Sequence, residues 1–129
     1  MPLPDAIAPD GSEIYLRIGA PEGATRASLC EVRLAAGAVS RPVRHRSVEE
    51  IWYVLEGEGA VWRGAAGGEG EVVTVRPGDA LVIPPGWRFQ FRAGPGAPLR
   101  FLCYTAPLWP GPDEAVLAEP GGLGPATGL

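Results

Sequence analysis

The stretches GAVSRPVRHRSVEEIWYVLEG, residues 37–57, and GDALVIPPGWRF, residues 78–89, decide the fold of this chain. In each of them glycine or proline brackets a short run of strand-forming residues, so the backbone is expected to reverse at both ends of the run. Pro84 can stand at the end of a strand, because no ladder hydrogen bond is needed there. The two stretches therefore predict short strands joined by tight turns.

The same alternation of short strand and turn continues on both sides of the two stretches. Residues 28–34 alternate with a period of two, as expected of a half-buried strand. The 19 glycines and 15 prolines leave no room for a long amphipathic helix before residue 107. The predicted strands are residues 14–18, 26–34, 51–55, 60–63, 71–75, 80–83, 88–92 and 99–104. Many short strands at regular spacing predict an all-β sandwich or barrel, and closing the sheet removes its exposed edges.

The length of 129 residues is that of a single domain. We divide the chain into an N-terminal arm with a short strand, residues 1–25, a barrel, residues 26–106, and a Pro/Gly-rich tail, residues 107–129. Within the tail, residues 113–119 predict either one helical turn or a short strand, and residues 120–129 are expected to be flexible. Trp109 stands between two prolines, and three roles are open for it: a clasp over the barrel wall, a lid over a pocket, or an oligomer contact.

Composition excludes several classes of function. The net charge is −4 and no stretch interleaves basic and aromatic residues, which argues against nucleic-acid binding. All 11 basic residues are arginine, so lysine Schiff-base chemistry is excluded, and His45 is the only histidine. A site that needs several imidazoles is therefore impossible within one chain.

The expected compartment is the cytoplasm. The N-terminus shows no basic region followed by an apolar core, so no signal peptide is predicted, and the apolar runs are too short to span a membrane. Cys30 and Cys103 are far apart in sequence and are expected to be unpaired thiols.

The two stretches resemble the two motifs of the cupin superfamily, G(X)5HXH(X)4E(X)6G and G(X)5PXG(X)2H. They are separated by residues 58–77, as in minimal cupins, and the glycine and proline skeleton matches at every position. The resemblance spans residues 26–106 and implies a single cupin barrel (a jelly roll, or double-stranded β-helix) lined by alternate residues of each strand. Residues 45–59, 83–86, 98–107 and 109–115 also resemble a group of small, single-barrel bacterial cupins. The superfamily hosts many activities, so the resemblance does not decide whether the protein is an enzyme.

In the family, three histidines and a glutamate hold a divalent metal such as Zn, Fe, Mn or Ni. Carried over residue by residue, the first histidine is Val43 here, the second is His45, the glutamate is Glu50 and the last histidine is Phe89. Two ligands are therefore replaced by apolar residues, and no cofactor is expected. A metal held by His45 and Glu50 remains the alternative, and it would need water or a further donor. The candidate donors are Gln90, Cys30 and Tyr104, with Glu49 as the other register for the carboxylate.

Without a metal, His45 and Glu50 are candidate catalytic residues, as a general acid–base pair. A carboxylate within hydrogen-bonding distance is expected to raise the pKa of the imidazole and to fix its tautomer. Such a pair could transfer a proton next to a carbonyl group, as an isomerase or lyase requires. The alternative is a hydrogen-bonded polar pair without chemistry.

The predicted pocket lies inside the barrel. Trp52 shares the parity of Glu50 and should point inward, where Trp62 and Phe89 would add apolar walls. Arg88 and Gln90 would also line the pocket if the even-numbered residues of their strand point into the barrel. The arginines of the first stretch, Arg41, Arg44 and Arg46, are expected to be solvated, although they could meet a carboxylate or phosphate.

We therefore expect a cupin that binds a small polar molecule, a sugar or an organic acid. The alternatives are an isomerase, a lyase or a metal-dependent dioxygenase. A homodimer is expected from the family, through residues 14–18 or 26–34, and no membrane or nucleic-acid partner is predicted.

Overall fold

The computed structural model describes residues 2–129, so Met1 of the predicted N-terminal arm lies outside the described residues. Within this range the chain forms eleven strands and one short 3-10 helix, Ala20–Glu22. The strands are β1 (Ala6–Ile7), β2 (Glu13–Ile18), β3 (Ser28–Leu34), β4 (Val43–His45), β5 (Glu49–Glu56), β6 (Gly59–Gly64), β7 (Glu71–Val75), β8 (Ala80–Ile83), β9 (Arg88–Ala93), β10 (Leu99–Ala106) and β11 (Ala115–Leu117). All eight predicted strands are present, with ends that differ by at most two residues.

The strands form two antiparallel sheets. Sheet A has the order β1-β2-β3-β10-β5-β8, and sheet B has the order β11-β4-β9-β6-β7. After β4 the chain passes from one sheet to the other at every step except from β6 to β7, which pair within sheet B. Two packed antiparallel sheets connected in this way form a jelly roll. The predicted all-β barrel is confirmed, with β1 and β4 as strands that the sequence patterns did not identify.

Aromatic side chains fill the space between the sheets. Trp52 stacks on Phe101 with a ring-centre distance of 4.2 Å, and it meets the rings of Phe89 and Phe91 edge-on at 5.5 and 5.2 Å. All four are almost completely buried. Each contributes roughly 1.5–3 kcal/mol through burial of apolar surface, so this end of the barrel interior is a packed core.

The turn between β5 and β6 depends on glycine. Gly57 has a φ of 80°, and a Cβ atom there would lie 2.1 Å from the carbonyl oxygen of Pro98. Any other residue would clash with the backbone of the neighbouring turn and adopt a strained conformation. The glycine of the first stretch is thus required where β5 reverses.

The C-terminal tail lies against sheet B. Residues 115–117 form β11 beside β4, so the short strand is formed and not the helical turn. Further along, Val39 and Thr127 exchange backbone hydrogen bonds, and the side chain of Gln90 bonds the backbone of Leu123 and Gly124. We expected residues 120–129 to be flexible, and these contacts instead attach them to the barrel. Within residues 2–129, no helix is long and apolar enough to cross a membrane.

Candidate functional site

His45 and Glu50 come together at one end of the barrel. His45 ends β4 in sheet B, and Glu50 lies near the start of β5 in sheet A, so the pair spans the gap between the sheets. The Nδ1 atom of His45 is 3.7 Å from Oε2 of Glu50, and the two residues are 5% and 6% exposed. This distance is too long for a hydrogen bond. The structure therefore brings the predicted pair together without a direct bond between them.

Glu50 is held by the core beneath it. Its Oε1 atom accepts a hydrogen bond of 2.9 Å from the indole N–H of Trp52, and the thiol of Cys103 also bonds its carboxyl group. Burial raises the pKa of Glu50 to about 7, although both of these bonds act in the opposite direction. Near neutral pH the carboxyl group is consequently close to half protonated.

Burial shifts the pKa of His45 in the opposite direction. Loss of hydration lowers the pKa of His45 to about 4, and the carboxylate of Glu114 only partly offsets this effect. We expected Glu50 to raise the pKa of the imidazole. That prediction is wrong, because burial outweighs the neighbouring charges and Glu50 is only about half ionised near neutral pH. Nδ1 of His45 is buried and has no hydrogen-bond partner among residues 2–129.

Two aromatic rings enclose the imidazole. The Phe89 ring lies 5.2 Å from the His45 ring, and the Trp109 ring meets it edge-on at 5.3 Å with an interplanar angle of 89°. The backbone N–H of Trp109 donates to Oγ of Ser28, which ties this part of the tail to β3. Trp109 is 37% exposed, so one side of it faces solvent. The Trp109 ring therefore covers His45, a contact that both a clasp over the barrel wall and a lid over a pocket would make.

The family's four-ligand set does not form. Val43 and Phe89 lie directly opposite each other on β4 and β9, both buried and both without a donor atom. Tyr104, one candidate for a further donor, is 41% exposed on the outer surface. Among residues 2–129 no three side chains of His, Cys, Asp or Glu are placed to hold a metal ion. His45 and Glu50 alone do not fit a metal site of the family's type.

Trp62, Arg88 and Gln90 lie on the other side of sheet B, so the expectation that they line the same pocket is corrected. Phe89 belongs to the core, and side chains alternate along a strand, so both neighbours of Phe89 point outward. Gln90 is fully buried beneath the tail and donates to the carbonyl groups of Ser40 and Gly124. Trp62 is the cross-strand partner of Gln90. Only Trp52 and Phe89 of the predicted pocket residues contact the His45–Glu50 pair.

Glu114 is a residue of the site that sequence reasoning missed. It is 4% exposed, and its carboxylate accepts hydrogen bonds from the backbone N–H groups of Ser47 and Val48 and from the hydroxyl of Ser47. These bonds lower the pKa of Glu114, although burial acts against them. No local pattern marked it, because its partners lie more than sixty residues earlier in the chain. It fixes the loop between His45 and Glu50.

Cys30 and Cys103 are free thiols, in agreement with the prediction. They are nevertheless direct cross-strand partners on β3 and β10. Burial raises the pKa of the Cys103 thiol, so it remains a hydrogen-bond donor beside Glu50.

The surface carries two notable depressions. One, of about 170 Å³, lies between Arg46 and residues 110–114. The other, of about 440 Å³, lies on the outer side of sheet B and is lined by Arg44 and Arg88 among others. Neither is lined by His45 or Glu50.

Comparison with known proteins decides the family. Residues 30–105 match the family model described as "Cupin domain", which is more than half of the chain. The chain belongs to the cupin family. An uncharacterised protein of Methanocaldococcus jannaschii is 30% identical to this cupin over 90 residues, which are 70% of this chain and 68% of the relative.

Two solved structures resemble this cupin over most of their length. The polyketide cyclase RemF from Streptomyces resistomycificus is 30% identical, with a TM-score of 0.62 and coverage of 92% of this chain and 79% of that one. An uncharacterised double-stranded β-helix protein from Klebsiella pneumoniae has a TM-score of 0.65 at 21% identity and covers 84% of this chain and 85% of its own. The second similarity supports the fold alone.

Proposed function

We propose that this cupin binds a small polar molecule at the end of the barrel, where the ligand bonds His45 and Glu50 beneath Trp109. The observation that supports this proposal is the buried Nδ1 atom of His45, which has no partner within residues 2–129 and lies 3.7 Å from Glu50. An unsatisfied buried polar atom costs about 1–3 kcal/mol. A ligand that supplies the missing hydrogen bond would recover that free energy.

The chemistry of the pair favours a neutral hydroxylated ligand, such as a sugar, over an organic acid. A hydroxyl group both donates and accepts, so one such group can bond a neutral imidazole and a carboxyl group that are 3.7 Å apart. A carboxylate ligand would be repelled by Glu50 whenever that group is ionised. The apolar faces of Phe89 and Trp109 can pack against the ring of a sugar.

Binding requires Trp109 to move, since its ring covers the imidazole. Trp109 lies on a tail segment outside the strands, and its exposed side gives it room to swing away. The ligand would then replace the indole edge against His45. We therefore propose that residues 107–112 act as the cover of the site, since Glu114 is held by the loop between His45 and Glu50.

A second candidate is an acid–base enzyme that uses the same pair. A carboxyl group with a pKa of about 7 can both give and take a proton near neutral pH, which is the property of a general acid–base catalyst. The similarity to a polyketide cyclase agrees with an enzyme of this kind. Proton transfer beside a carbonyl group, as in an isomerase or lyase, would be its reaction class.

Saturation-transfer NMR with glucose, galactose, succinate and malate as probes tests the proposal. We expect transfer to at least one sugar in the unaltered protein, and its loss in His45→Leu. Glu49→Gln, a change of the exposed neighbour of Glu50, is the matched control and should bind as before. No transfer to any probe, or equal transfer in His45→Leu, would contradict binding at this site. Turnover of a bound probe would favour the enzyme.

The cytoplasm and a homodimeric state are likewise proposals. Free thiols at Cys30 and Cys103 are typical of a reducing compartment. A dimer is supported by the apolar outer face of sheet A, where Ile51, Tyr53 and Val82 are each more than 40% exposed.

A further inference from the structure

The depression of about 440 Å³ on the outer side of sheet B is built around two arginines. Arg44 of β4 and Arg88 of β9 are direct cross-strand partners. Both side chains point away from the core, because their neighbours Val43 and Phe89 point into it. The hairpin after β6 and the segment after β11 form the walls, with Gly67, Gly68 and Leu117 among the lining residues.

The charge of this pair is not neutralised within the chain. Among residues 2–129, neither Arg44 nor Arg88 has a carboxylate oxygen within 4.0 Å. Like charges directly opposite each other in a sheet are destabilising. The wall residue Glu119 is exposed and forms no ion pair within the same range. Neither arginine of this cross-strand pair has a counter-ion, and an anion in the depression that both of them line would stabilise them.

The guanidinium group of Arg88 is fixed in position by its neighbours. Its Nη2 atom donates to the carbonyl oxygen of Gly68 at 2.5 Å, and its Cζ atom lies 5.1 Å from the centre of the Trp62 ring. Its Nε atom is buried and has no hydrogen-bond partner among residues 2–129. A guanidinium carries five N–H groups in a fixed plane, so several donors remain free while the side chain is fixed by Trp62 and Gly68.

The floor also leaves room for a ligand. Across sheet B the row through the two arginines is Val116, Arg44, Arg88 and Gly64, which places a glycine beside Arg88. The volume of the depression lies within the range of small-molecule sites. The protein as a whole has a net charge of −4, so the two arginines form a local positive region on an otherwise acidic chain.

We infer that this depression binds the oxyanion group of a small molecule, a phosphate or a carboxylate, between Arg44 and Arg88. Guanidinium groups bond both kinds of group through pairs of parallel N–H donors. The site is separate from the one under Trp109, because the arginines lie on the opposite face of the sheet from Phe89 and His45. The protein would then have two binding sites. The arginine site would be open and would bind a charged group, whereas the site under Trp109 would be covered and would bind a neutral one.

NMR of the arginine Nε–Hε groups in the full chain tests the inference, with inorganic phosphate and acetate titrated at constant ionic strength. We expect saturable shifts of the Arg44 and Arg88 signals. Saturation with phosphate alone would indicate a phosphate-bearing ligand, and equal saturation with acetate a carboxylate ligand. Arg44→Gln should weaken binding about tenfold, the loss expected of a charged hydrogen bond. Glu119→Gln should tighten it.

The matched control is Arg92→Gln, which removes an exposed arginine from the same strand and the same face of β9. It should leave the titration unchanged. Arg88→Gln also loses its contact with Trp62, so Arg44→Gln is the variant that decides the outcome. The inference is overturned if neither anion gives saturable shifts, or if Arg92→Gln weakens binding as much as Arg44→Gln.

Discussion

Val43 lies directly opposite Phe89 in the register of β4 and β9, beside His45 on the inner wall of the barrel. These are the two positions at which the resemblance to metal-binding cupins places histidines. In this chain Val43 and Phe89 occupy those positions and lie next to each other. An apolar contact therefore stands where metal-binding cupins have two of their four ligands. His45 and Glu50 are the other half of that ligand set, and both are buried.

This relationship predicts that histidines at both positions create a metal site. We expect V43H/F89H to bind Zn²⁺ at least about 100-fold more tightly than the unaltered protein, because it would supply three imidazoles and Glu50. Loss of the Phe89 ring should lower the free energy of unfolding by roughly 3 kcal/mol in the absence of metal. Calorimetric titration with Zn²⁺ measures the affinity, with V43A/F89A as the control. Equal affinity of the two variants would show that the four positions do not converge.

The His45–Glu50 pair predicts two pH effects that oppose each other. The folded-state pKa of Glu50, about 7, is above its ordinary value of 4.5, so its contribution to stability falls as pH rises from 4.5 to 7. The folded-state pKa of His45, about 4, is below its ordinary value of 6.5, so its contribution falls as pH drops from 6.5 to 4. In the unaltered protein the two contributions should largely cancel between pH 4.5 and 6.5.

Single substitutions should reveal each contribution. Relative to the unaltered protein, Glu50→Gln should gain stability as pH rises, by roughly 1–3 kcal/mol at pH 8. His45→Leu should gain stability as pH falls. Urea denaturation from pH 4 to 8 measures both trends, with Glu49→Gln as the control. Parallel pH profiles for all four proteins would contradict the burial effects.

The contact between Trp109 and His45 predicts that Trp109 limits access to the imidazole. Trp109→Ala should increase the rate at which diethyl pyrocarbonate modifies His45, because the reagent attacks a neutral imidazole that the indole now covers. His45 is the only histidine, so peptide mapping by mass spectrometry assigns modification of an imidazole to this residue. Leu108→Ala changes the neighbouring residue of the same segment and is the control. An unchanged rate in Trp109→Ala would show that Trp109 is not the cover.

The bonds of Glu114 predict that this residue orders the loop that carries the site. Glu114→Ala removes the acceptor of both the Ser47 and the Val48 backbone N–H groups, and it should lower the free energy of unfolding by about 1–3 kcal/mol. The amide hydrogens of Ser47 and Val48 should also exchange faster. Asp113→Ala is the control, since Asp113 is exposed and accepts from Arg46 only through its backbone oxygen. Equal loss of stability in the two variants would argue against the anchoring role.

The outer face of sheet A predicts where a dimer would form. Ile51 lies opposite Val82 on one side and Tyr104 on the other, and all three are exposed, so an apolar row crosses three strands. We expect light scattering to give twice the chain mass of 13.5 kDa and Ile51→Glu to give the monomer. Val72→Glu places the same charge on an exposed residue of sheet B and should leave the dimer intact. A monomeric unaltered protein would sink this prediction.

Much of the architecture could be read from local patterns. Glycines and prolines placed the turns, and alternation placed the eight main strands within one or two residues. The strands β1 and β4 were not predicted, because two or three residues carry no periodicity and are held by their neighbours alone. For β11 the sequence left a helical turn open as the alternative. The predicted pair of His45 and Glu50 did meet, since both lie on inner positions of strands that the cupin motifs specify.

The amino-acid sequence by itself determined the fold class, the turn positions and the loss of two ligand residues, because these depend on residue types at short separations. Only the tertiary structure decided which side of β9 faces inward, since a shift by one residue exchanges the two faces of a strand. Because Phe89 faces inward, Trp62, Arg88 and Gln90 lie on the outer side of sheet B, where Arg88 is the cross-strand partner of Arg44. The pairing of β11 with β4 brought Glu114 to the site, and burial set the pKa values of His45 and Glu50. Both effects arise from contacts between distant parts of the chain, which no local pattern records.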